Sequence, residues 1–316
     1  MAPVRIRHFA PDYFGDVRLE REVFERELGN VTMLTAGSVD GSAEILATFG
    51  SPVDGDLLEE TGCSVVASYT TGVDHVDVEV ATERGVRVCR VPEYCDREVG
   101  EHVLATTLAL TRGLPQYDAE TAAGGWDWTV ANPLRTFDEL TIGLLAFGRK
   151  ARVVANLAAP LGFEVVAHDP YVDDEEIVAA GVEPVGFGEL VERADVLSLH
   201  APLTRETRGI IDADALGQLP DGAVLVNAAR GELVDESALV DALENGSLAG
   251  AGLDVFDKEP PGRDNPLRTR EDVIVTPHVA WNSEGAKERV RIRGSEIAAA
   301  AYRGEAVDGV VNPETC

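Results

Sequence analysis

Thr141-Ile142-Gly143-Leu144-Leu145-Ala146-Phe147-Gly148-Arg149-Lys150-Ala151, followed at Val165-Val166-Ala167-His168-Asp169-Pro170-Tyr171 by a second apolar run that closes on an acid, decides the fold. An apolar strand enters a glycine turn and then a helix, and Asp169 lies 21 residues after Gly148. This is the layout of a dinucleotide site. The diphosphate meets the helix N-terminus, and the acid hydrogen-bonds the adenosine ribose. The alternative is an ordinary βα turn with no ligand. The glycines read Ala146-x-Gly148-x-x-Ala151 where G-x-G-x-x-G is expected. Alanine suits the third position, which needs only close helix packing. At the first position glycine serves the tight turn, so Ala146 is expected to shift the loop. Gly148, which permits close approach of the diphosphate, is retained, and Lys150 adds a positive charge. A 2′-phosphate ~4 Å from the Asp169 carboxylate would be repelled by ~4 kcal/mol at an effective dielectric of about 20. No arginine directly follows Asp169, so the cofactor expected is NAD rather than NADP.

Outward from this stretch the strand candidates continue as Val196–His200, Ala223–Asn227, Ala249–Asp254 and Val273–Thr276, after Thr141–Phe147 and Glu164–His168. Helical patterns at Arg149–Leu161 and Glu236–Asn245 lie between them, and a last helix covers about Ser283–Tyr302. An earlier block, residues 1 to roughly 97, alternates in the same way, with strands at Val4–His8, Val31–Thr35, Ile45–Phe49, Ser64–Ser68 and Val86–Arg90. Alternating β and α units imply parallel, doubly wound sheets. A helical pattern from about Asp96 to Thr111 joins the blocks. Leu114–Asp138 reads as irregular, with Gly124-Gly125-Trp126-Asp127-Trp128 as an arm, an interface or a loop covering a core.

The chain has 316 residues, 45% of them hydrophobic, which is enough for one large or two modest cores. No apolar run reaches ~18 residues, and the N-terminus lacks a signal-peptide core, so a cytoplasmic protein with no membrane span is expected. Cys63, Cys89, Cys95 and Cys316 show neither metal nor redox spacing and read as free thiols. The formal net charge is −29, from 56 acidic and 27 basic residues, and only Lys150, Lys258 and Lys287 are lysines. Such a surface repels nucleic acid and anionic lipid. Salt would screen its self-repulsion, so the composition is that of a salt-adapted protein.

Three more residues follow apolar runs: Arg230 in Val226-Asn227-Ala228-Ala229-Arg230-Gly231, Glu259 in Asp257-Lys258-Glu259-Pro260, and His278 in Thr276-Pro277-His278-Val279-Ala280-Trp281. Arginine holds a carboxylate bidentately. Histidine carries a proton near neutral pH. Glutamate orients that histidine and raises its pKa. Together they suit interconversion of a 2-keto acid and a 2-hydroxy acid. Singly, each has a plainer reading as a surface ion pair, a solvated loop acid and a structural hydrogen-bonder. His75, His102, His168 and His200 read as structural or peripheral.

On these segments, with Thr71-Gly72-Val73-Asp74-His75-Val76-Asp77, His200-Ala201-Pro202-Leu203-Thr204 and Leu253-Asp254-Val255-Phe256, the chain resembles the D-isomer-specific 2-hydroxyacid dehydrogenases over nearly its whole length. Val91-Pro92-Glu93-Tyr94-Cys95 and His278–Glu284 look most like the branch related to C-terminal-binding protein. The resemblance implies a discontinuous substrate-binding domain near 1–98 plus 286–316, an NAD-binding domain over 99–285, and a homodimer to which the Trp126 arm contributes. It assigns catalysis to Arg230, Glu259 and His278. It places the cofactor against Thr71, Gly148, Arg149, Lys150, Asp169, Ala201, Pro202, Thr207, Ala228, Ala229, Arg230, Asp254 and His278, with Asp254 at the nicotinamide end. Substrate would meet Tyr69, Thr70, Thr71, Gly72 and Arg230. Trp281 is either core packing or a substrate-facing wall. Ser68, Thr70 and Val103 depart from the residues common in the family. The same branch also offers a different class of function, an NAD(H)-sensing protein that recruits a partner.

Overall fold

The computed structural model describes residues 2–9, 11–35, 41–131 and 133–315. The chain forms two compact units, Met1–Tyr94 with Asn282–Cys316, and Cys95–Trp281. In the first, strands β1 (Val4–His8), β2 (Val31–Thr35), β3 (Ile45–Thr48), β4 (Val65–Ser68) and β5 (Arg87–Cys89) form a wholly parallel sheet in the order β2-β1-β3-β4-β5. The central strands β3 and β4 are buried at every position, as a parallel sheet covered on both faces requires. Leu46, Val66 and Val88 pack there with Val53, Leu58 and Val76.

The long helix Glu284–Tyr302 explains why this unit is discontinuous. It begins at Ser283, whose Oγ accepts from Ala286 N, and its Arg291 grips the buried Glu20 of helix Arg18–Leu28 through Nε and Nη2 at 2.7 and 2.6 Å. Removing one member of such a pair leaves an uncompensated buried charge. Against β4 the same helix brings Ser295 Oγ 2.8 Å from the Tyr69 hydroxyl, and Tyr69 is 0% exposed. Tyr69 was expected beside substrate; its side chain is a core group of this unit. The following loop is braced internally. The Thr70 hydroxyl donates to Gly72 O at 2.6 Å, and Ser68 Oγ bonds both Thr70 Oγ1 and His75 Nε2.

The second unit carries β6 (Thr141–Leu145), β7 (Glu164–His168), β8 (Glu183–Pro184), β9 (Val196–Leu199), β10 (Ala223–Asn227), β11 (Leu248–Leu253) and β12 (Val273–Val275). All pair in parallel, in the order β12-β11-β10-β9-β6-β7-β8. Winding reverses between β6 and β9, the place where sheets of this type bind ligands beyond the carboxyl ends of their strands. The two-residue strand β8 went unread in the sequence. Leu114–Asp138, expected to be irregular, contains the helix Leu114–Ala122; Tyr117 Oη donates from it to Trp128 O at 2.9 Å. Trp126 and Trp128 are 92% and 82% exposed. Cys63, Cys89 and Cys95 are buried, and Cys316 lies outside the described residues. Among the described residues no helix is long and apolar enough to cross a membrane.

Candidate active site

At the end of β6 the chain turns through Ala146, which takes the left-handed φ of +70° itself. Its N–H donates to His168 O at 2.8 Å, and the next residue, the buried Phe147, donates to Asp169 Oδ2 at 2.8 Å. The second oxygen of Asp169 accepts from Tyr171 N at 2.9 Å. Asp169 is thus fixed at the end of β7 beside the turn, with further lone pairs on each oxygen. Gly148 precedes helix Arg149–Ala158 in an extended conformation with φ −76°, so backbone strain does not require glycine there. Nor do neighbouring atoms: a Cβ would meet nothing within 4 Å, and no side chain caps the helix. Open space over uncapped N–H groups is a cradle for a phosphate.

The charges at this helix are arranged differently from the sequence expectation. Lys150 Nζ and Arg149 Nε each lie 3.0 Å from an oxygen of Asp96, at the start of helix Asp96–Thr111. The cation expected to serve a phosphate is already matched by a carboxylate. The segment after β9 is also self-contained. The Thr207 hydroxyl donates to Pro202 O at 2.6 Å and accepts from Thr204 N, shaping the turn that carries Ala201 and Pro202. His200 lies next to it, 2.9 Å from Ser198 Oγ. Burial first, then the charge of Lys150, pushes its pKa down to about 3. It stays neutral at physiological pH and is unsuited to donate a proton.

Arg230, Glu259 and His278 follow three adjacent strands, β10, β11 and β12. Asn227, buried at the end of β10, shapes the first loop: its Nδ2 donates to Arg230 O at 2.7 Å and its Oδ1 accepts from Ala229 N. At Gly231 a Cβ would stand 1.9 Å from the Phe256 carbonyl carbon. Only glycine lets this loop press onto the backbone of the next, which carries Glu259. Glu259 Oε1 accepts from Phe256 N at 3.1 Å, and Oε2 lies 2.7 Å from His278 Nδ1. Arg230 Nη1 donates to Ala229 O, and the guanidinium charge acts on both Glu259 and His278.

The His278 imidazole is held above its ordinary pKa of 6.5. The hydrogen bond to Glu259 is the largest cause; partial burial opposes it; the charges of Glu259 and Asp254 add to it and that of Arg230 subtracts. For Glu259, burial works upward, but the His278 hydrogen bond and charge, Phe256 N–H and Arg230 together outweigh it and hold the carboxyl below its usual range. With Nδ1 committed to Glu259, Nε2 is the nitrogen positioned to exchange a proton.

The backbone behind His278 is held by Asp254, which is buried. Asp254 O accepts from His278 N at 2.9 Å. Its Oδ1 accepts from Val279 N and the Thr276 hydroxyl, and its Oδ2 from Ala280 N at 2.9 Å. Trp281 Nε1 donates to His278 O at 3.0 Å. Both residues therefore brace the turn. Asn227 and Thr276 were not singled out in the sequence; the available signal was a polar residue closing a buried strand.

A doubly wound parallel sheet with a phosphate cradle and a pinned acid at its switch point, and Arg, Glu and His on adjacent strand ends, defines a dinucleotide-dependent α/β protein. Residues 104–280 match the family model described as D-isomer specific 2-hydroxyacid dehydrogenase, NAD binding domain. The chain belongs to that family. It is 37% identical over 265 residues to the D-3-phosphoglycerate dehydrogenase of Methanocaldococcus jannaschii, covering 83% of this chain and 50% of that one. The corresponding protein of Mycobacterium leprae is 38% identical over 282 residues, covering 89% and 53%. The chain spans about half the length of these curated relatives. Among solved structures, the D-lactate dehydrogenase of Aquifex aeolicus complexed with NAD and lactic acid superposes with a TM-score of 0.83 at 25% identity, covering 97% of this chain and 99% of that one.

Proposed function

We propose that the chain is an NAD-dependent oxidoreductase that interconverts a 2-keto acid and a D-2-hydroxy acid. The observation that carries this reading is the 2.7 Å contact of His278 Nδ1 with Glu259, beside the Arg230 charge, on the ends of adjacent strands. The cofactor would be held by the Gly148 cradle and the first N–H groups of its helix, by Asp169 at the adenosine ribose, and by the loops of Ala201, Pro202, Thr207, Ala228 and Ala229. NAD, when bound, supplies the acceptor or donor of a hydride. Arg230 binds the substrate carboxylate and polarises the C2 carbonyl. In reduction, His278 Nε2 gives a proton to the carbonyl oxygen as C2 gains the hydride; in oxidation it takes that proton back. Glu259 keeps the proton on Nδ1 and stabilises the imidazolium. The pinned Asp169 carboxylate disfavours a 2′-phosphate.

Turnover of a panel of 2-keto acids with NADH and NADPH tests the reading. Reduction of at least one acid is expected, with NADH preferred, and Asp169→Ala should narrow that preference. Equal use of NADPH by the unmodified protein would refute the role of Asp169. NADH binding without turnover of any acid would favour the sensing alternative.

A further inference from the structure

His102 sits in helix Asp96–Thr111, which packs on β10 and β11. Its Nε2 lies 3.2 Å from Thr276 Oγ1 and 4.0 Å from Asp254 Oδ1. Thr276 Oγ1 in turn lies 2.5 Å from Asp254 Oδ1. The direction of this chain of bonds follows from chemistry. Asp254 uses its carboxylate oxygens to accept from Val279 N and Ala280 N, and a carboxylate has no proton to give. The Thr276 hydroxyl must therefore donate to Asp254. Its remaining capacity is to accept, so His102 must donate to it from Nε2–H. A run of bonds polarised in one direction strengthens each member.

We propose that His102 is a positioning residue for His278, acting through Thr276 and Asp254. The bond from His102 selects the Thr276 rotamer whose hydroxyl points at Asp254. Asp254, fixed by that donor, is aimed at the N–H groups of residues 279 and 280. Those two bonds, with His278 N on Asp254 O, hold His278 at φ +53°, a backbone conformation that a β-carbon disfavours. That conformation sets the imidazole on Glu259. The inference rests on the reading of His278 as the proton-transfer residue, but the network is testable without turnover.

The test uses the full chain with isotopically labelled histidine, followed by NMR, the His278 signal being assigned by its loss in His278→Gln. In the unmodified protein this imidazole should titrate above 6.5. In Thr276→Val and His102→Phe it should fall by about half a pH unit or more, because the ring is no longer held on Glu259. Thr276→Ser and His102→Gln, which keep a hydroxyl and a donor, should restore it. Where 2-keto acid reduction is measurable, kcat should fall by ~10- to 100-fold in the first pair, with NADH binding retained. A lower melting midpoint with an unmoved His278 titration overturns the proposal, as does equal behaviour of His102→Phe and His102→Gln. If Thr276→Val does not fold, the His102 pair decides alone. Absence of turnover in the unmodified protein would count against the oxidoreductase reading only, since the titration still decides the positioning role.

Discussion

Among the described residues of the seven-stranded unit, two turns place a residue other than glycine in the left-handed region: Ala146 after β6, at φ +70°, and His278 after β12, at φ +53°. Their surroundings differ. Ala146 has one backbone bond, to His168 O, and its methyl rests on the edge of the core. His278 is bonded through its N–H to Asp254 O and Thr276 O, through its carbonyl to Trp281, and through its ring to Glu259. The two residues after it are fastened to the Asp254 carboxylate. A left-handed conformation costs an L-residue roughly 1–2 kcal/mol in either place. At 278 the surrounding bonds convert that cost into the orientation of an imidazole. At 146 a methyl group gains nothing from orientation, and glycine would serve the turn equally well.

The largest expected effect breaks the comparison if it fails. His278→Ala should lower kcat for 2-keto acid reduction by ~10²–10⁴-fold, the usual scale of a lost general acid, while NADH binding remains measurable by fluorescence. An unchanged kcat would mean that the strain at 278 is as idle as that at 146.

Glu259→Gln sharpens the comparison through pH. Glu259 raises the His278 pKa, so removing its charge lowers that value. In the proposed reaction, reduction needs the protonated ring, and its rate should begin to fall at lower pH than in the unmodified protein. Oxidation needs the neutral ring, and its rising limb should move the same way. Stability has its own window. A raised histidine contributes fully below its unfolded pKa and loses that contribution as pH rises through the folded value. A lowered carboxyl contributes above its unfolded pKa and loses it as pH falls through the folded value. The pair therefore stabilises most between the ordinary values of 4.5 for Glu259 and 6.5 for His278, and loses this as pH falls towards the depressed Glu259 value or rises towards the raised His278 value. Both side chains are more than a third exposed, so the stability effect should be small beside the shift in rate profile. A profile that stays in place would show that Glu259 does not tune the ring.

Periodicity recovered most strands because apolar β-branched runs in a parallel sheet are buried on both faces. Glu164–His168 and Ala223–Asn227 were read to the residue. The errors have physical causes. Thr141–Phe147 ran two residues long, since Phe147 is buried although the ladder stops at Leu145; hydropathy reports burial, not pairing. Helix Leu114–Ala122 buries none of its residues and so offered no apolar face to detect. Arg230, Glu259 and His278 were legible as side chains suited to one chemistry. Their support was less so, because Asp254, Thr276 and His102 meet only through folding, from positions up to 174 residues apart. Tyr69 was misplaced for a related reason: its partner, Ser295, lies 226 residues away.

The smallest effect belongs to Ala146→Gly. Three terms enter. Release of the left-handed strain favours the variant by roughly 1–2 kcal/mol. The greater freedom of glycine in the unfolded chain opposes it by about 0.4–1 kcal/mol. Loss of a partly buried methyl opposes it by at most ~0.8 kcal/mol. The sum runs from about −0.8 to about +1.6 kcal/mol, slightly in favour of the variant, which for a chain of this size moves the thermal midpoint by no more than about 2–4 °C either way. NADH affinity should be unaltered, since the Gly148 cradle and Asp169 keep their geometry when Ala146 already follows the path a glycine would take. Thermal unfolding and NADH titration of the two proteins check this. A midpoint lowered by well over 4 °C would show that the methyl supports the turn through packing, and that Ala146 shares with His278 a positive use for its strained conformation.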